Sequence, residues 1–312
     1  MEEGRTAARP YDDVFRTLLN DCSSLIIPVI NEVFGEDYSG EEEIVFSPNE
    51  HFLNKQDGDG DERITDTCFQ ILGRETKKYH LECQSSPDSS MLVRFFEYDT
   101  QIALDDGELS GNVLTVTFPH SAVLFLRCSA STPDRLKIRM VTPGGSLEYD
   151  VLVMKSRQYT LDEIFDKNLL FLIPFHIFSH EDRFAKYEQD RDQRRLLERE
   201  YERIRERLEE SLAQGMISEY VKCTIIDMSN KVLENIAQKY DTVREGVRDI
   251  MGGKVLDYEA KTILNEGMEK GMEKGIRGTV SILKNLGIPT QTILKKIQEE
   301  YNLTPEASRK YV

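Results

Sequence analysis

Asp66, Glu82 and Gln84 are the residues of this chain whose types and spacing could do hydrolytic chemistry. Glu82 and Gln84 belong to YHLECQ, where Tyr79, Leu81 and Cys83 alternate with His80, Glu82 and Gln84. Alternation at period two marks a half-buried strand. The preceding run ITDTCFQI reads as its partner, joined through the loop LGRET. Centring that loop on Arg74 sets Ile71 opposite Lys77, Phe69 opposite Tyr79 and Asp66 opposite Glu82. One face of the hairpin then carries Asp66, Cys68, Gln70, His80, Glu82 and Gln84, and the other Thr67, Phe69, Ile71, Tyr79, Leu81 and Cys83. Two carboxylates directly across a strand pair repel unless something neutralises them. A divalent cation does so, and Mg²⁺ commonly takes one or two carboxylates while keeping its waters. The competing interpretation makes Asp66 a turn residue near Arg63 and Glu82 a solvated acid beside Lys78.

Other candidates are weaker. The loop with Asp57, Asp59 and Asp61 starts like an EF-hand but has Glu62 at its sixth position and Cys68 at its twelfth, so a solvated turn is expected. His80 and His120 are expected to be structural. No Gly-rich phosphate loop and no GxSxG elbow occurs.

The elements that must position the hairpin follow from periodicity. Val14, Phe15, Leu18, Leu19, Leu25, Ile26, Val29, Ile30 and Val33 recur at helical spacing, with Gly35 as a stop. EIVF and HFL are short strand-like runs around a Pro48–Asn49 turn. SMLVRFFEYDTQIAL has a helical period through Leu92, Phe95, Phe96, Ile102 and Ala103. VLTVTFPHSAVLFLR is β-rich around Pro119, a residue suited to a strand start or edge, and KIRMVTP-GG-SLEYDVLVM is a hairpin. Helix, strands, helix and further strands make an α/β or α+β domain ending near residue 180. From 181 to 210, 20 of 30 residues are charged, with a seam of Leu197, Tyr201, Ile204, Leu208 and Leu212. Val221, Ile225, Met228, Val232 and Ile236 continue it, so these helices should pair with each other or with another subunit. Gly267, Gly271 and Gly275 then mark a joint or a close helix contact, and the tail reads as two short helices broken at Gly287–Pro289.

At 312 residues with 39 % hydrophobic and 31 % charged residues, the chain should be soluble and divide into more than one domain. No apolar run is long enough to span a bilayer, no signal segment opens the chain, and five scattered cysteines indicate neither a disulfide framework nor a zinc knuckle. A cytoplasmic protein without a membrane or small-molecule cofactor is expected. The formal charge of −16 weighs against nucleic acid, but it is uneven: −11 over residues 1 to 63, −4 over 64 to 180 and −1 over 181 to 312.

Asp66 followed by Glu82-Cys83-Gln84, between helices YDDVFRTLL and MLVRFFEYDTQIAL, resembles the PD-(D/E)XK nuclease superfamily. More narrowly, Asp12 with Phe15-Arg16, Gln84-Ser85, Arg94 with Tyr98, and Pro174-Phe175 resemble the bacterial recombination-promoting nuclease and transposase-like family. The resemblance covers about residues 10 to 180. It implies an α/β fold with a restriction-endonuclease-like core, a central mixed sheet flanked by helices, over 1–180. An all-α region follows, with long amphipathic helices over 181–265 and a Gly-repeat joint and helical tail over 266–312. It also implies that Asp66 and Glu82 ligate Mg²⁺ (or Mn²⁺ or Ca²⁺), with the Cys83 carbonyl as third ligand, and that Asp12 or Asp13 assists through water. Gln84 stands where the superfamily has lysine; Arg94 either meets a phosphate or pairs with Glu97. The expected activity is metal-dependent DNA endonuclease cleavage, by a homo-oligomer assembled through the C-terminal helices. The rivals are a weak or inactive nuclease-fold DNA-binding protein and a helical self-assembly protein with incidental acids.

Overall fold

The computed structural model describes residues 10–46, 50–52, 62–64, 67–88, 90–252, 271, 274–280, 282–284, 288, 290–301, 308 and 310–311. Asp66, the Asp57–Asp61 loop, the Pro48–Asn49 turn, Gly267, Gly287 and Pro289 lie outside them. The chain forms two compact units, 1–255 and 256–312.

In the first unit, α1 (Pro10–Asp21) and α2 (Ile26–Phe34) bury Val14, Phe15, Leu18, Leu19, Ile26, Val29 and Ile30. The apolar period read from the sequence is the inward stripe. Gly35 ends α2 at φ +69°, a left-handed conformation that favours glycine. Four strands follow: β1 (Glu43–Phe46), β2 (Glu50–Phe52), β3 (Glu62–Ile64) and β4 (Cys68–Leu72). Then come β5 (Lys77–Gln84), α3 (Met91–Asp105), β6 (Glu108–Ser110), β7 (Val113–Thr115), β8 (His120–Phe125), β9 (Arg135–Thr142) and β10 (Gly145–Lys155). Pro119 immediately precedes β8, where its missing N–H costs no ladder bond.

Six strands form one mixed sheet in the order β1-β4-β5-β8-β10-β9. β5, β8 and β10 run parallel to their neighbours in that series, while β1–β4, β4–β5 and β10–β9 are antiparallel. β2–β3 and β6–β7 are separate two-stranded ribbons. Helix α3 covers one face, packing Met91 and Phe95 on Val123, Phe125, Ile138 and Val151. On the other face Phe34 of α2 lies against Tyr79, with ring centroids 5.1 Å apart. The chain is therefore α/β, a mixed sheet flanked by helices with a helical region after it.

The hairpin register is Ile71↔Lys77, Phe69↔Tyr79 and Cys68↔His80, as the loop length indicated, and Leu81 N donates to Thr67 O at 3.1 Å. The half-buried strand is a correction. β4 and β8 pair with both edges of β5, α3 lies over its even-numbered face, and Phe34 of α2 packs on Tyr79 of the other. The polar alternation marks an internal polar site rather than a solvent face. On α3, Phe96 points outward and Asp99 points inward, the reverse of their hydropathy.

α4 (Leu161–Asp166) opens with a capping box between Thr160 and Glu163. A 3-10 segment, Leu170–Arg183, follows with Pro174 and Phe175 buried within it. Next come α5 (Phe184–Gln189), α6 (Arg191–Ala213), α7 (Glu219–Ile236) and α8 (Asp241–Met251). The seam residues Leu197, Tyr201, Ile204 and Leu208 of α6, and Ile225, Met228 and Val232 of α7, are buried within the chain. α7 packs on α1 and on the 3-10 segment, and α6 on α8, so the seam is satisfied internally. In the second unit, Ile276, Val280, Ile293 and Ile297 form a small core that includes the helix Thr290–Glu300.

Candidate functional site

The carboxylate of Glu82 sits where β5 passes beneath α3 and beside α1. Asp12, Phe15 and Arg16 of α1, Thr67, Glu82, Cys83 and Gln84 of the hairpin, and Arg94 and Tyr98 of α3 line one cleft of about 120 Å³. At roughly 30 Å³ per water, that accommodates an ion with a few waters, or one phosphate group, and no nucleobase. Residues that are far apart in sequence meet because α1 and α3 both lie against β5.

Glu82 is placed by a buried network. His80 Nδ1 stands 2.7 Å from Asp99 Oδ1, and His80 Nε2 stands 3.4 Å from Glu82 Oε1. His80 and Asp99 are both fully buried. Asp99 also accepts from Ser121 Oγ at 2.9 Å and from Tyr149 OH at 3.1 Å. Burial alone would lower the His80 pKa, but its hydrogen bonds to Asp99 and Glu82 outweigh burial and raise it to about 9. The raised pKa favours the imidazolium, which donates from both nitrogens. Burial also works against ionised Glu82; the His80 hydrogen bond, the positive charges of His80 and Arg94, and Gln84 reverse that and hold its pKa below the ordinary value. Gln84 Nε2 approaches Glu82 Oε2 at 3.4 Å, a long contact.

Of the residues expected at the site, Glu82, Gln84, Cys83, Asp12 and Arg94 share this cleft. Asp66 lies outside the described residues. Asp13, one position from Asp12, points away and pairs with Lys231 of α7. Burial pushes the Cys83 thiol pKa up, with Asp12 and Glu82 adding to the effect, so its sulfur is protonated and only its carbonyl is suited to a hard ion. Lys78 pairs with Asp106, so Glu82 is not a solvated acid beside it. Two polar atoms in the cleft, Arg94 Nε and Thr67 Oγ1, are buried and make no hydrogen bond among the described residues. Asp99 escaped the sequence reading; its signal was an acid at the inward position of α3, one turn after Phe95. A wider cleft of about 620 Å³, lined in part by Glu32, Lys167 and Met216, lies elsewhere, and there Lys167 already bonds Glu32 at 2.6 Å. No helix among the described residues is long and apolar enough to cross a membrane.

No family model, curated protein or solved structure matches the chain.

Proposed function

We propose that the Glu82 cleft is the active site of a metal-dependent DNA endonuclease with a restriction-endonuclease-like core. One observation carries this: an ionised carboxylate, a carboxamide and a guanidinium converge on a cleft of ion-plus-phosphate size, where buried Arg94 Nε and Thr67 Oγ1 have no hydrogen-bond partner among the described residues. In native proteins buried polar atoms are nearly always bonded, so orphaned donors in a cleft point to a ligand with acceptor oxygens. The donor set fits Mg²⁺ or a similar hard ion: Glu82 and the Cys83 carbonyl offer oxygens, Asp12 lines the same cleft, and Asp66 is the second carboxylate expected from the register. A bound ion would supply an acidified water and positive charge against the developing phosphorane.

The chain's own groups then have distinct tasks. His80, clamped by Asp99, fixes the Glu82 carboxylate in one orientation. Arg94 binds a non-bridging phosphate oxygen through Nε. Gln84 orients the attacking water by hydrogen bonds but cannot stabilise charge as a lysine does. The last point favours a second reading, a DNA-binding protein that cuts slowly or not at all. Supercoiled plasmid incubated with Mg²⁺, Mn²⁺, Ca²⁺ or chelator tests both. Nicking with Mg²⁺ or Mn²⁺ and none with chelator supports the endonuclease; retarded but intact plasmid under every metal supports the second reading.

A further inference from the structure

A different set of side chains faces inward where the 3-10 segment meets α6. His176 and His180, four residues apart, point to Glu200 of α6, and their ligand atoms all lie within 4.8 Å of one another. His176 Nε2 is 2.6 Å from Glu200 Oε1, and the two imidazole rings are 5.5 Å apart at 70°. His180, only 4 % exposed, aims Nε2 into this group, a long 3.4 Å from Glu200 Oε2. Both imidazoles are thus buried and directed at one carboxylate from a neighbouring helix.

We propose that His176, His180 and Glu200 form a binding site for Zn²⁺ or a similar borderline transition-metal ion, tying the 3-10 segment to α6. Two imidazoles and one carboxylate match the three-ligand zinc sets, and the half-exposed Glu200 leaves a fourth position for water. Ligand atoms about 2.0–2.1 Å from a tetrahedral ion stand roughly 3.3 Å apart. The 3.4 Å separation of His180 Nε2 from Glu200 already has that value. The shorter His176–Glu200 contact is a hydrogen bond whose proton occupies the place an ion takes, and coordination displaces it. At His180, Arg183 Nη2 lies 3.0 Å from Nδ1 and can only donate, which puts the neutral ring's proton on Nε2. Coordination moves that proton to Nδ1, where the Tyr187 hydroxyl oxygen, at 3.1 Å, accepts it. Arg183 then gives up Nδ1 and keeps the Ser179 carbonyl and the face of the Tyr187 ring.

Co²⁺ is the probe, added to the chelator-treated full chain carrying Glu82→Ala so that the hairpin cleft cannot contribute. We expect one equivalent bound at micromolar concentration, with visible d–d bands of low-coordinate Co²⁺ that Zn²⁺ abolishes. Glu200→Gln retains a hydrogen bond to His176 and the fold, and should weaken binding at least about 100-fold; Tyr187→Phe should weaken it about 10- to 100-fold. No bands in the Glu82→Ala chain, or the same bands and affinity in folded Glu200→Gln, would overturn the site.

Discussion

At the scale of single residues, the strongest claim is that Glu82 is held in place rather than merely present. Asp99 is the anchor: it accepts from His80, Ser121 and Tyr149 inside the core. Asp99→Asn keeps the shape but removes the charge that these donors meet. Hydrogen bonds to charged groups are worth about 1.5–3 kcal/mol, so we expect a loss of that size in urea unfolding at neutral pH. Loss of less than about 0.5 kcal/mol would show that the network is not load-sharing. Gln84→Ala should keep most metal affinity and lose roughly 10²–10⁴-fold in cleavage rate, the size of a positioning or acid–base role. Gln84→Lys should retain or raise the rate, and equal rates for wild type and Gln84→Ala would make Gln84 structural. Glu82 and Gln84 were legible because period-two alternation put polar types where a strand needs few. Asp99 was not, because one acid on a helix face carries no partner's address; only the fold brings His80, 19 residues earlier, beneath it.

At the scale of elements, the β4–β5 register was readable from loop length alone, since a hairpin's turn fixes which residues face each other. What periodicity could not show is that a strand with one polar stripe lies in the middle of the sheet. That follows from β8 and β10, whose parallel pairing depends on crossovers far along the chain. The join between α5 and α8 gives an element-scale prediction. Glu188 of α5 accepts from Thr242 N, Thr242 Oγ1 and Val243 N, capping the first turn of α8 from outside. Partial burial raises its pKa, but these three bonds win and bring it below the ordinary carboxylate value. Because the folded value is depressed, this stability is present above the unfolded pKa of roughly 4.3 and fades as pH falls through the folded value. Glu188→Ala should cost about 0.5–2 kcal/mol at pH 7, a difference that shrinks toward pH 3. A pH-independent difference in unfolding free energy would contradict the assignment.

For the whole molecule, the seam expected to pair within the chain or with another subunit has its buried residues packed on α1, the 3-10 segment and α8. A chain ending at residue 180 should therefore not fold as a stable unit, because it leaves the apolar faces of α1 and the 3-10 segment without α7. Cooperative unfolding of residues 1–180 with the full chain's first-unit stability would contradict that packing. Of the acidic residues among 1 to 63, Asp12 lines the cleft and Asp13 pairs with Lys231. The most direct test of the central claim is single-turnover cleavage of an end-labelled DNA duplex by wild type and Glu82→Ala, each with Mg²⁺ and with chelator. We expect metal-dependent cutting by wild type and a loss of about 10³-fold or more in Glu82→Ala, since the ion's ligand and the positioned carboxylate go together. Equal cutting by both proteins, or none by wild type under Mg²⁺ or Mn²⁺, would contradict it.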